Sequence, residues 1–232
     1  MTSSPTEPAA AAERLAAIEA AIAGACARAG RPRGDVTLVA VSKEQPDDAV
    51  RAFLGLGVGD LGENRVQAFV ARAAAFPQAR WHLIGPVQTN KVKALVHHPP
   101  ALLHTVDRPE LVDALQARLV SPLEVLVQVN VDAEATKSGV APEGLDALVD
   151  HVARADKLRL RGLMCIPRPG DDASLARAFA RLGRLAATIA DRALDPARVD
   201  LSMGMSDDFP IAIAEGATLV RIGTALFGPR PG

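Results

Sequence analysis

Short apolar runs alternate with segments of helical periodicity along almost the whole chain. The runs at 36–42, 60–62, 80–85, 102–106, 125–131, 158–166, 199–202 and 219–223 have the length of strands. Between them, 46–56, 63–75, 88–96, 109–119, 142–153, 172–192 and 207–215 show the spacing of helices with one buried face. An Ala-rich stretch at 11–29 carries Leu15, Ile18 and Ile22 on one side and stops at Gly30 and Pro32, which adds a helix ahead of the first strand. Pro46, Pro109 and Pro142 fall in first helical turns, where a missing N–H costs no bond. Strands alternating with helices in this way suit a (β/α)8 TIM barrel or an open doubly wound sheet. Polar residues gather at the C-terminal ends of the runs, as at Ser42-Lys43, Glu63-Asn64, Asp107-Arg108, Ser202 and Gly223-Thr224. In a barrel those ends share one face, where sites are built. That favours a single barrel domain over 11–232, behind a flexible tail at 1–10.

Composition narrows the class without naming a chemistry. The 232 residues have a formal charge of −1 and are 49% hydrophobic, which gives no footprint for nucleic acid or an anionic membrane surface. No apolar run has the length of a membrane span, and Glu13, Arg14 and Glu19 interrupt the N-terminal alanines, against a secretory signal. Cys26 and Cys165 form neither a disulfide framework nor a metal motif. A cytoplasmic protein without a metal site is expected. The chain contains no tyrosine.

Lys43 closes the run VTLVAVSK and shares a side with Val39 and Val41. Partial desolvation at the mouth of an apolar strand favours the neutral amine that attacks an aldehyde, although a lysine can also simply mark a strand's solvent end. Two further strand ends, at Ser202 and Gly223, are each followed by small residues and a short helical start. Backbone N–H groups there can approach an anion, with hydroxyls from Ser202, Ser206 and Thr224. By strand count these are the loops after strands 7 and 8, the usual phosphate site of a barrel. Plain helix capping by Ser206 and a tight turn at Gly223 is the alternative. Arg221 lies inside the last strand with Leu219 and Gly223 on its side, and requires a buried acceptor or a carboxylate at a strand end. Gln128 and Asn130 share one side of their strand, in a polar network or a ligand site. Trp81 and His82 alternate, so one of them faces inward, and a satisfied core histidine is favoured. The polar stretch 132–138 reads as a surface loop.

The segments VAVSKEQP (39–46), LGENRVQ (61–67), WHLIGPVQTNKVK (81–93), HTVDR (104–108), VQVNVDAEATKSGV (127–140), RGLMCIP (161–167), LSMGMSDD (201–208) and VRIGTALFG (220–228) together resemble the pyridoxal 5′-phosphate (PLP) homeostasis protein family. Its fold is like the N-terminal barrel of alanine racemase. The resemblance implies that Lys43 carries PLP as a Schiff base and that Ser202, Gly223 and Thr224 hold the phosphate. It further implies that Arg221 faces the pyridine nitrogen and that Asn64 lies near the ring. Arg65, where relatives often have an aromatic residue, and Phe209-Pro210 depart from the family pattern.

A racemase resembling alanine racemase needs a second base, a tyrosine from a further domain of the partner subunit. This sequence has no tyrosine and stops at Gly232, four residues past the last motif. Arginine at the pyridine nitrogen can only donate, which leaves the ring a weak electron sink. The expectation is a non-catalytic PLP carrier in vitamin B6 homeostasis, with apo-PLP enzymes as recipients. A weak amino-acid racemase is the alternative. The solvated face of 172–192, with Arg177, Arg181, Arg184 and Asp191, favours a monomer.

Overall fold

The computed structural model describes residues 8–132 and 138–228. Eight parallel strands close into a barrel in sequence order: β1 (Thr37–Val41), β2 (Asp60–Glu63), β3 (Arg80–Leu83), β4 (Leu102–Val106), β5 (Leu123–Gln128), β6 (Leu158–Met164), β7 (Asp200–Ser202) and β8 (Leu219–Ile222). Closure is made by β8 against β1, where Val39 stands opposite Arg221 and Ala40 opposite Ile222. The connecting helices are α2 (Asp47–Gly55), α3 (Val66–Ala75), α4 (Val92–Leu95), α5 (Pro109–Arg118), α6 (Leu145–Arg154), α7 (Asp172–Thr188), α8 (Phe209–Ala214) and α9 (Thr224–Phe227), after an N-terminal α1 (Pro8–Arg28). Of the two architectures the pattern allowed, the barrel is the one formed.

Strand alternation divides the apolar residues between two cores. Leu38, Ala40, Leu61, Leu83, Leu103, Val125, Leu163 and Val220 face outward and pack under the helices in the larger core. Val39, Leu102, Leu126, Met164 and Leu219 form a small separate cluster inside the barrel. The strands are therefore buried on both faces, which is why they read as nearly continuous apolar runs. Helix α1 lies against α2, α8 and α9 across the closing seam. It is pinned by Arg14, whose Nε donates to the Leu226 carbonyl at 2.7 Å.

Several expected boundaries shift, each for a local reason. Residues 8–10 of the expected tail are helical, and the remainder of that tail lies outside the described residues. Glu63 belongs to β2, and α3 starts only at Val66. The segment 88–96 divides into a 3-10 turn at Thr89–Lys91 and the short α4. The 207–215 helix contracts to Phe209–Ala214, because the Asp208 carboxylate accepts the Met205 N–H at 2.5 Å and Pro210 sits in the first turn. Asp208 thereby holds the 205–208 turn in front of α8. Most of the expected loop at 132–138 lies outside the described residues.

Candidate functional site

A cavity of about 460 Å3 opens at the C-terminal ends of the strands, within the range of small-molecule sites. Val41 and Lys43 enter it from β1, Asn64 from β2, and Ile84 and Gly85 from β3. Arg221, Gly223 and Thr224 close it from β8, and Ser206 and Asp207 from the loop after β7. Of the six residues that the family resemblance singled out, Lys43, Asn64, Arg221, Gly223 and Thr224 meet here. Ser202 does not line the cavity.

Lys43 sits in a tight turn directly beyond β1, in which the Gln45 N–H donates to the Ser42 carbonyl at 3.1 Å. Glu44 is the one described non-glycine residue with positive φ, at 61°. Such backbone strain persists only where its surroundings hold it, and this turn is held on both sides. Ser42 Oγ donates to Glu63 Oε1 at 3.2 Å. Arg72 of α3 donates to the Gln45 carbonyl and lies 3.9 Å from the same Glu63 carboxylate. Burial pushes the Glu63 carboxyl above the usual range, against the pull of Ser42 and Arg72. Lys43 itself makes no hydrogen bond or ion pair among the described residues, and is half-buried. Asn64 is set by a close approach of two backbones: a Cβ on Gly85 would lie 1.9 Å from the Asn64 carbonyl oxygen. The Gly85 carbonyl is in turn held by Thr105 Oγ1 at 2.7 Å.

Arg221 forms part of the cavity floor and is almost fully buried. It has no carboxylate at ion-pair distance among the described residues. Its Nη1 donates to Ser202 Oγ at 2.7 Å and its Nη2 to the Cys165 carbonyl at 3.0 Å. Burial pulls the guanidinium below its usual range, partly offset by Cys165 and Asp208 nearby. From Ser202 the contacts continue through the barrel interior. Ser202 Oγ is 2.8 Å from His104 Nδ1, His104 Nε2 is 2.9 Å from His82 Nδ1, and His82 Nε2 is 2.9 Å from Asp60 Oδ1. Burial, with His82 and Arg221 nearby, holds the His104 imidazole well below its usual range, so it is neutral at pH 7. Arg221 can only donate to Ser202, whose oxygen accepts from it and also lies within hydrogen-bond distance of His104 Nδ1. A neutral His104 carries one ring hydrogen, shared between its contacts to Ser202 and His82, and the chain of contacts ends on Asp60, whose carboxylate accepts from His82 Nε2. Ser202 Oγ thereby has its partners in the barrel interior, whereas Ser206 lines the cavity and its Oγ accepts from the Ala225 N–H at 3.5 Å.

The expected inward histidine is His82, bonded on both ring nitrogens, while Trp81 packs outward and donates from Nε1 to the Phe76 carbonyl at 3.0 Å. Gln128 donates to the Ser138 carbonyl, and neither it nor Asn130 lines the cavity. His104, Asp60 and Glu63 were missed as members of the site's support. A signal for His104 and Asp60 existed: polar residues standing in phase with the inward positions of otherwise apolar strands, whereas Glu63 stands in phase with the outward Leu61. No group of three or more His, Cys, Asp or Glu residues suited to a metal occurs among the described residues. No helix there is long and apolar enough to cross a membrane.

Residues 14–231 match the family described as alanine racemase, N-terminal domain. A curated relative from Pseudomonas aeruginosa, named pyridoxal phosphate homeostasis protein, is 45% identical over 94% of this chain and 95% of its own. One of the same name from Aquifex aeolicus is 41% identical over 94% and 97%. Among solved structures, PipY of Synechococcus elongatus with PLP bound superposes with a TM-score of 0.79 at 34% identity, covering 94% of this chain and all of that one. Alanine racemase from Corynebacterium glutamicum shares the fold, with a TM-score of 0.67 at 17% identity over 94% of this chain and 61% of that one. The chain thus belongs to the pyridoxal phosphate homeostasis protein family, built on the barrel of the alanine racemase N-terminal domain.

Proposed function

We propose that this protein binds PLP reversibly through Lys43 and holds it for cellular PLP homeostasis, without turning over a substrate. The carrying observation is an amine with no partner among the described residues, on a cavity whose floor is a buried guanidinium with no carboxylate at ion-pair distance and whose wall is built of small and hydroxyl-bearing residues. These groups fit PLP. Its aldehyde is a partner for the Lys43 amine, its phosphate for Ser206, Thr224 and the backbone at Gly223, and its ring nitrogen for a donor such as Arg221. Asn64 would lie beside the ring. The phosphate role moves from Ser202 to Ser206 in this reading, because Ser202 does not line the cavity and its oxygen is already engaged by Arg221 and His104. The PLP bound to PipY and the names of the curated relatives support the same cofactor.

When bound, PLP supplies a reactive aldehyde. Lys43 would supply the amine that holds this aldehyde covalently, in a linkage that water can reverse. The protein's own part is to keep Lys43 in a braced turn and to place a permanent donor under the ring. A donor at the ring nitrogen leaves it unprotonated, which weakens its capacity to stabilise a carbanion. The cavity wall offers no tyrosine, histidine or cysteine as a second base among the described residues, and the whole sequence has no tyrosine. Apo-enzymes that need PLP would be the recipients of what is released.

The test is spectroscopic. Purified protein incubated with PLP should develop a visible band that borohydride bleaches, leaving a stable adduct at Lys43 by mass spectrometry. Lys43→Ala should lose both the band and the adduct, and an unchanged band in that variant would overturn the assignment. Steady racemisation of alanine or serine by the loaded protein at enzyme-like rates would replace the carrier with a racemase.

A further inference from the structure

We propose that Asp60, His82, His104 and Ser202 are positioning residues for Arg221: a one-way hydrogen-bond relay across the barrel that fixes the guanidinium beneath the cavity. The inference rests on the cofactor reading above and assigns a role to four side chains that reading leaves unused. None of the four lines the cavity. Three of them are buried in the barrel interior, where unpaired polar groups are costly and an apolar side chain would pack as well. The cavity is reached only through the last link, from Ser202 Oγ to Arg221 Nη1 at 2.7 Å.

The order of donors gives the relay its function. In the proposed relay each member offers one hydrogen along the chain, toward Asp60. The sequence therefore ends on a carboxylate at the start of β2, the end of the barrel opposite the cavity, where Asp60 also lies 3.3 Å from Arg80 Nε. A neutral acceptor in place of a carboxylate at Ser202 satisfies a hydrogen of Arg221 without a direct ion pair, so its charge is offset only from a distance by Asp208. With Nη1 on Ser202 and Nη2 on the Cys165 carbonyl, the plane of the guanidinium is set by two acceptors on β7 and just beyond β6. The pair that an arginine would ordinarily make with a buried carboxylate is replaced by a chain whose negative end lies three side chains away.

Two measurements on the full-length protein test this. Nitrogen-15 spectra of its histidines before PLP is added should show both His82 and His104 neutral, with the proton on Nε2, and His82→Asn and His104→Asn assign the signals. A proton on Nδ1 of either ring would reverse the relay and end the proposal. PLP titrations followed by absorbance should then give about tenfold weaker binding for Ser202→Ala, the loss of one hydrogen bond to a charged group. Asp60→Ala should shift affinity and the absorption maximum of bound PLP in the same sense by a smaller factor. Asp60→Asn, whose carbonyl still accepts from His82, should restore them, and Arg80→Ala should leave them unchanged. A wild type that takes up PLP normally, alongside Ser202→Ala and Asp60→Ala variants with unaltered affinity and spectrum, overturns the relay alone. A wild type that never binds PLP removes the cofactor reading and this inference with it.

Discussion

Gly85→Ala is the most direct probe of how the fold sets the cavity. Gly85 follows β3, lines the cavity, and passes so close to Asn64 that an added Cβ would lie 1.9 Å from its carbonyl oxygen, 2.7 Å from its carbonyl carbon and 2.8 Å from its Cα. All three atoms are backbone, so no side chain can rotate away, and relief requires the Asn64 segment or the end of β3 to move by roughly 1 Å or more. Forcing a methyl into packed structure costs about 1–3 kcal/mol. Displacing the Gly85 carbonyl from Thr105 Oγ1 adds about 1 kcal/mol. A total of about 2–4 kcal/mol corresponds to a fall in Tm of roughly 5–15 °C for a chain of this size. Asn64 also faces the cavity, so PLP uptake should weaken along with stability. Gly55→Ala at the end of α2 is the control, since its Cβ would meet nothing within 4 Å, and it should raise stability by about 0.5–1 kcal/mol. Thermal and urea unfolding read both variants. A Gly85→Ala protein that melts with the wild type and binds PLP as tightly would refute the steric reasoning outright.

Two further outcomes follow from the buried groups. The folded-state pKa of His104 is depressed by burial, with His82 and Arg221 beside it, from an unfolded value of 6.5. Its contribution to stability is therefore fully present above pH 6.5 and is lost as pH falls from there through the folded value, because only the unfolded chain takes up the proton. The limiting slope is about 1.4 kcal/mol per pH unit, and urea midpoints between pH 7 and 5 should show it in the wild type and a shallower fall in His104→Gln. Burial pushes the Cys165 thiol up to about 12, and Cys26 is buried as well. A disulfide thiol reagent at pH 8 should accordingly find no reactive thiol in the folded protein and both after unfolding, and rapid labelling of native Cys165 would contradict the packing around Arg221.

The barrel was legible because both strand faces are apolar and the breaks between runs are frequent, so element type and order survived even where boundaries did not. Boundaries failed where side chains overrode the pattern. Glu63 reads as a helix start, yet it is the last residue of β2, with its carboxylate turned under the Lys43 turn to hold Ser42. The long helical pattern at 172–192 ends at Thr188 and gives way to a 3-10 turn at Ala190–Arg192, in which Arg192 pairs with Asp146 and Asp150 of α6. Those contacts join segments far apart in sequence, and no local spacing encodes them. Lys43 lies on the side that alternation along β1 points to, with Val39 inside the barrel and Val41 in the cavity wall, although the strand itself ends at Val41.

Ser202 and Ser206 show where that legibility stops. Both are serines beside small residues after the same strand, and either could face a phosphate on the sequence alone. What separates them is the identity of their neighbours across the barrel. Ser202 stands in phase with Arg221 and meets His104 from β4, so its oxygen has partners before any ligand arrives. Ser206, four residues on and beyond the glycine turn at Gly204, is carried up to the cavity wall. The same geometry decides the character of Arg221. The sequence allowed a salt bridge at a strand end, and the barrel supplies a hydroxyl and a carbonyl instead. Two neutral acceptors satisfy hydrogens without cancelling charge. The cation is offset only from a distance by Asp208, and its remaining donor capacity favours ligands that bring an acceptor to the cavity floor.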